Sequence, residues 1–404
     1  MEPDIIVADR GERISLMEPL LLGASYRHRP HLADLALDLA QKSAGLKRSL
    51  PPALLPSLAN LVRSMNCYYS NLIEGHNTHP IDIERALHND FSTDPHKRDL
   101  QREAAAHIAV QQWIDTGALT AQQATSQEGI REIHRRFCEL LPPDLLWAED
   151  PATQERAPVI PGQLRTRDVR VGDHIPVSPG AIPRFLERFS QVYSQTGKAE
   201  SILAAAAVHH RLLWIHPFLD GNGRVARLVS HAQLLEHLDT GAIWSVARGL
   251  ARNIQEYKRR LANCDLTRRN DLDGRGHLSE EALGEFTEFF LTLCLDQVDF
   301  MESLIQPARL RVRIQVWAEE ESRLGNLPSK FFALLDALLL RGELPRGEAE
   351  IVLNTGERQA RRIVSTLLEK GVLTSANPRA PLHLAFPAIL AARWLPGLFP
   401  DQPA

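Results

Sequence analysis

The chain has 404 residues, 44% of them hydrophobic and 24% charged, an ordinary balance for a soluble protein long enough for two or three domains around a large core. Its net charge of −4 argues against a protein whose main task is coating nucleic acid. Cys67, Cys138, Cys264 and Cys294 lie far apart with no metal-binding spacing and read as buried thiols of a reducing cytosol. The first residues include Glu2, Asp4, Asp9 and Arg10 without an apolar core, so no secretion signal is expected. The longest apolar run, Ile202 to Ile215, is broken by His209, His210 and Arg211, so no membrane span and a cytoplasmic location are expected.

Residues 1 to about 50 read as a short arm and one helix, His31 to Ala44. Leu58, Leu61, Val62, Met65, Tyr68, Leu72 and Ile73 then fall at helical spacing, and Gly75 suits the end of that helix. Ser70 and Glu74 share its last turn; alone, such a pair is an ordinary solvated face. Leu100 to Thr116 and Ser126 to Leu141 read as packed helices, with His134 a structural histidine. Between residues 142 and 180, Pro142, Pro143, Pro151, Pro158, Pro161, Pro176 and Pro179 exclude a long helix. Inside this stretch lies Gly162 to Gly172. Alternation over Asp168 to Val171 suggests a strand and a short hairpin.

Helices are expected over Pro183 to Gln195 and Leu203 to Ile215. The second should stop near His216, because a residue before proline is pushed out of the helical region. There follow His216-Pro217-Phe218-Leu219-Asp220-Gly221-Asn222-Gly223-Arg224-Val225-Ala226-Arg227. A loop at the helix end can present the His216 ring. Asp220 offers a hard oxygen of the kind Mg²⁺ takes alongside substrate phosphates. Gly221-Asn222-Gly223 permits a tight turn and close approach of backbone to ligand. The next helix, running to about His237, adds the anion site of its first N–H groups. Arg224 and Arg227, three apart, share a face where two guanidinium forks can grip phosphate oxygens.

Further on, Val246 to Ala262 reads as one helix, with Asn253 and Tyr257 one turn apart. Tyr257 is read as core in preference to the lining of a nucleotide pocket. Asp271-Leu272-Asp273-Gly274 with Glu280 resembles the tail of a calcium loop, but Arg269 would occupy its first ligand position, so that reading is rejected. Leu278 to Leu295 and Asp299 to Arg323 are amphipathic helices, and Gly325-Asn326-Leu327-Pro328 is a break. Beyond it come Ser329 to Leu340, Arg346 to Leu353, a turn at Asn354-Thr355-Gly356, Glu357 to Lys370, and a ribbon of Val372 to Thr374 with Leu382 to Leu384. That order is the order of a winged helix-turn-helix. Arg358, Arg361 and Arg362 face acidic neighbours Glu348, Glu350 and Glu357, which favours a protein-docking or dimerising module over a DNA reader.

The stretch from His216 to Arg227 resembles the signature of the Fic family, His-x-Phe-x-Asp/Glu-Gly-Asn-Gly-Arg-x-x-Arg, at every defining position. The resemblance implies a mostly α fold: a Fic-type helical core with a short β-hairpin flap, here followed by the winged helix-turn-helix. The resemblance covers about residues 55 to 295, and with the tail assigned by its pattern alone the chain divides into an N-terminal helical region carrying the inhibitory helix over residues 1–105, a catalytic core over 106–295, a helical linker over 296–325 and a winged-helix-like domain over 326–404. It implies an adenylyltransferase moving AMP from ATP to a Ser, Thr or Tyr hydroxyl of a target protein. His216 would be the base and Asp220 the Mg²⁺ ligand. Gly221, Asn222, Gly223, Arg224 and Arg227 would bind the phosphates. In that family a Lys at the position of Gly223 accompanies γ-phosphate transfer, so Gly223 keeps the chain with the nucleotidyl transferases. Ser70 to Gly75 is similar to the family's inhibitory motif, Ser/Thr-x-x-x-Glu-Gly/Asn. By that likeness Glu74 pairs with Arg227 and holds off the far phosphate of ATP; in some members the same Glu assists AMP removal. The stretch carrying Gly162, Arg165, Val169 and Val171 looks like the flap that receives the target as an added strand. An Asp-Gly-rich turn like Asn270 to Gly276 closes one side of the nucleotide site in relatives. Another nucleotide or phosphocholine as donor, a nucleotide-sensing DNA-binding regulator, self-modification and homodimerisation stay open.

Overall fold

The computed structural model describes residues 7–149, 154–328 and 330–399. The N-terminal region holds helices α1 (Arg29–Arg48), α2 (Leu55–Ile73), α3 (Pro80–Leu87) and α4 (Pro95–Trp113), then the one-turn α5 (Ala121–Ala124) and α6 (Gln127–Glu139). Several begin where the sequence supplies a cap. Asp94 accepts from the Lys97 N–H, and Ser126 from the Gly129 N–H. Prolines start α3 and α4, where a missing N–H costs nothing.

The centre is built by α7 (Ile182–Tyr193), α8 (Lys198–Ile215) and α9 (Asn222–Leu238). Helix α8 is buried along almost its whole length, and Ala204 to Ala207 present no side chain beyond Cβ, so α9 packs closely along it. It ends as Pro217 demands. His216 leaves the helix in the left-handed region at φ 51, ψ 63, uncommon for a residue with a side chain. The expected single helix over Val246 to Ala262 is two, α10 (Val246–Arg252) and α11 (Ile254–Cys264). Asn253 breaks it at φ −118, ψ 35, its Nδ2 bonding the Gly249 carbonyl instead. Helix α12 (Glu280–Ile305) packs against α1 and α8, and Pro307 starts α13 (Pro307–Arg323). The expected start at Asp299 therefore lies inside α12.

The expected hairpin over Asp168 to Val171 does not form. The antiparallel pair near it is β1 (Trp147–Glu149) with β2 (Arg156–Pro158), in register Ala148 to Ala157. Residues 162–176 are irregular, and their one β-type pairing is the bridge of Val171 with His174 around the left-handed Gly172. The alternation was real, but Arg165 anchors the chain inward and spoils a flat ribbon.

After a turn at Gly325 come α14 (Phe332–Arg341), β3 (Glu343–Leu344), α15 (Ala349–Leu353), α16 (Glu357–Glu369), β4 (Leu373–Thr374), β5 (Leu382–Leu384) and α17 (Ala388–Trp394). The strands pair antiparallel in the order β3-β5-β4. This part packs back on the N-terminal region. Gly342 abuts Ala53 and Leu54, Ala388 donates its N–H to Glu84, and α17 lies on α3 and α13. The Tyr69 hydroxyl donates to the Leu398 carbonyl at 3.0 Å, and the Tyr68 ring meets Phe399 edge-on. Among the described residues no helix is long and apolar enough to cross a membrane.

Candidate active site

The loop between α8 and α9 is braced from within. Asn222 accepts from the Phe218 N–H at 2.9 Å and donates through Nδ2 to the Phe218 carbonyl at 2.8 Å. Its side chain, buried and tied to Phe218, is therefore a loop brace and not the phosphate ligand expected; what it can offer is its main-chain N–H. Phe218 is fully buried and stacks on His134 at 3.9 Å between ring centroids. Burial takes His134 down to about 4, and the Asp220 backbone opposes this only in part, so the ring is neutral at pH 7. Its Nδ1 accepts from the Gly162 N–H at 2.9 Å. Gly221 turns the chain at φ +79, which favours glycine.

Arg165 holds the other side of the loop. Its Nε donates to the His216 carbonyl at 2.8 Å and its main-chain N–H to the Pro217 carbonyl at 2.9 Å; the fork's remaining nitrogens reach the Arg167 and Val177 carbonyls. The guanidinium is buried against carbonyls, and burial lowers it to about 10, still charged at pH 7. Arg165 and Gly162 therefore scaffold the loop and do not face outward as flap residues. Val169 is half-buried and Val171 exposed.

Burial pushes His216 down to about 4, the charge of Arg165 adds to that, and the Leu213 carbonyl offsets it only in part. At neutral pH the ring is an unprotonated base. Asp220 is exposed and forms no ion pair among the described residues. No cluster of three or more His, Cys, Asp or Glu suited to a metal occurs among those residues. A single free carboxylate still fits Mg²⁺, which keeps several waters and takes its other oxygens from phosphates.

The N–H groups of Asn222, Gly223 and Arg224 precede the first bond of α9, from Val225 to the Gly221 carbonyl, and form the anion-binding end of the helix. A carboxylate lies over it. A Cβ on Gly223 would stand 2.4 Å from Glu74 Oε1. Glu74 caps the C-terminus of α2 and pairs with Arg227 Nη2 at 2.5 Å. Arg227 is buried, and donates also from Nε to Ser70 Oγ at 2.8 Å and from Nη2 to the Ser70 carbonyl. Burial raises the Glu74 carboxyl, but Arg227 outweighs it and holds the group below its usual range. Ser70, Glu74 and Arg227 thus meet in one place.

Two site residues carry no motif. Glu103, on α4, takes a hydrogen bond from Arg224 Nη2 at 2.6 Å, and His76 Nδ1 lies 2.8 Å from the same Oε2. Glu103 sits on α4 and His76 in the loop between α2 and α3, and only the packing of these segments brings them here, so local spacing gave no signal. Tyr257 is core, its hydroxyl 2.7 Å from His209 Nε2, and Asn253 is exposed. The loop Asn270 to Gly276 packs on the N-terminal arm, with Gly276 against Glu18 and Pro19. Asp273 spends its oxygens on Ser279 and the Arg269 and Glu281 N–H groups.

Residues 124–234 match the family model described as Fic/DOC family. Similar proteins include the protein adenylyltransferase Fic of Nematostella vectensis, 27% identical over 192 residues, or 46% of this chain and 41% of that one. That of Drosophila erecta is 26% identical over 219 residues, 52% of this chain and 41% of that one. The chain thus spans about two-fifths of the length of these curated relatives. A crystal structure of a Fic family protein from Desulfovibrio desulfuricans G20 shares the fold at a TM-score of 0.52 and 17% identity, covering 89% of this chain and 97% of that one.

Proposed function

We propose that the protein transfers AMP from ATP to a hydroxyl of a protein side chain, and that Glu74 restrains it. One observation carries the reading: a neutral His216 stands at the loop leading into an anion-binding helix end, and a single carboxylate, Glu74, covers that end and takes Arg227. Productive ATP displaces this carboxylate. Its phosphates then meet the N–H groups of residues 222–224 and the forks of Arg224 and Arg227. His216 takes the proton of the attacking hydroxyl as the oxygen bonds to the α-phosphorus, and the bond to pyrophosphate breaks. Asp220 would hold Mg²⁺, which when bound neutralises charge developing on the phosphates.

Arg165 and Asn222 serve by fixing the loop that aims His216. The exposed chain around Val171 is the side from which a target segment would approach. The region over residues 326–399 is read as a winged helix suited to protein docking, because its presented helix α16 mixes Arg358, Arg361 and Arg362 with Glu357 and Glu369, and Arg361 pairs with Glu357.

The test uses the Glu74→Gly variant with ATP labelled at the α- or the γ-phosphate. Label from the α-position alone should enter protein, and His216→Ala should abolish it. Label from the γ-position would overturn the reading, as would silence with α-labelled ATP, GTP, CTP and UTP.

A further inference from the structure

Both arginines of the site hold a carboxylate, and the two carboxylates differ in kind. Glu74 caps the end of α2, its side chain is 33% exposed, and it lies across Gly223 where a ligand would sit. Glu103 lies in the middle of α4, its side chain is 14% exposed, and a second partner, His76, holds the same oxygen. Burial raises Glu103, but the hydrogen bond from His76 and the charge of Arg224 outweigh it, so the carboxylate stays ionised at neutral pH. Arg224 is gripped at one nitrogen only. Its Nη2 meets Glu103 and His76, its plane lies 5.2 Å from the Phe137 ring centre, and Nη1 and Nε make no hydrogen bond among the described residues. One corner of the guanidinium fork is fixed and its other donors remain uncommitted.

We infer that Glu103, steadied by His76, is a positioning residue that sets the angle of Arg224 for a phosphate of the nucleotide. This rests on the reading of the site as a nucleotidyl transferase. Glu103 acts through Arg224, and unlike Glu74 it stays in place when the nucleotide arrives. A planar guanidinium held at one edge loses less freedom on meeting phosphate than one that swings free. Loss of the brace therefore weakens nucleotide binding without waking the enzyme.

The variants are Glu103→Gln, Glu103→Ala and the milder His76→Gln, each made with Glu74 present and in Glu74→Gly. The readouts are KM for ATP and kcat of α-label incorporation, Mg·ATP affinity by calorimetry, and thermal unfolding. In Glu74→Gly, KM and Kd for ATP should rise about tenfold for Glu103→Gln and more for Glu103→Ala. They should rise a few-fold for His76→Gln, with kcat at saturating ATP changing less in each case. With Glu74 present, none should raise labelling. If Glu103→Gln wakes the Glu74-intact protein as Glu74→Gly does, Glu103 is a second latch and the inference is overturned. Unchanged ATP affinity in folded variants overturns it too. Should both Glu103 variants fail to fold, His76→Gln decides: unchanged ATP affinity there sinks the brace. A Glu74→Gly parent that neither labels protein nor binds ATP would instead refute the proposed function.

Discussion

Replacing Glu74 with glycine removes the carboxylate on Arg227 and clears the space over Gly223. With charge centres about 4 Å apart and an effective dielectric near 20, the pair attracts by about 4 kcal/mol. A third of the Glu74 side chain is exposed, so solvent screens part of this, and a net of about 1.5–3 kcal/mol is the working figure for a charge-assisted bond. At 1.4 kcal/mol per decade, removing that competitor should raise the rate of AMP incorporation at subsaturating ATP about tenfold to a hundredfold. Arg227 keeps its bonds to Ser70, so the fold should survive. The assay is the initial rate of α-labelled AMP entering protein, for wild type, Glu74→Gly and Glu74→Gln. The glutamine variant keeps the bulk over Gly223 and loses the charge, and should fall between the other two. Equal rates for wild type and Glu74→Gly, at equal ATP affinity, would refute the reasoning. A glutamine variant as silent as wild type would show that bulk and not charge is the obstacle.

Burial leaves His216 neutral down to about pH 4, so labelling by Glu74→Gly should stay level as pH falls from about 8 to about 5.5 and decline only as the ring gains its proton; an inflection near 6.5 would contradict the burial argument. The Glu74–Arg227 pair works in the opposite sense. The carboxyl is depressed in the fold, so its contribution is present above the ordinary carboxyl range and lost only as pH falls through the depressed value. Wild type should therefore stay restrained at about pH 5, which the same labelling assay shows. Arg165→Met strips the His216, Arg167 and Val177 carbonyls of their donors and should cost about 3 kcal/mol or more by denaturant unfolding, with kcat falling further than ATP affinity. Tyr69→Phe removes one hydrogen bond to the Leu398 carbonyl and should cost about 1 kcal/mol; no change in melting temperature would mean that contact is idle.

What could be read before folding was local. The run from His216 to Arg227 sets its own geometry: proline ends α8, glycine turns the loop, and the next turn begins α9, all within twelve residues. Ser70 and Glu74 lie some 150 residues from Arg227, and only likeness to a known motif connected them. Glu103 and His76 had no such pointer, since an isolated Glu in an amphipathic helix looks like any solvated charge. The expected strand over Asp168 to Val171 is absent for a related reason. Strand alternation over Asp168 to Val171 is a short-range signal, and it lost to Arg165, whose bonds run to carbonyls on both sides of it. For Asn222, spacing cannot show that both ends of its amide return to Phe218.

The helix that carries Glu74 leans on residues made long after it. Tyr68 and Tyr69, next to Ser70, rest against Phe399 and the carbonyl of Leu398, 329 positions further along. A ribosome finishes α9 and its anion site while that support is still unwritten. For that interval the emerging chain has α9 complete and the Tyr68 and Tyr69 face of α2 without its later partners. A chain halted before Leu398 would leave the Tyr68 and Tyr69 rings without those partners, on the same helix as Ser70.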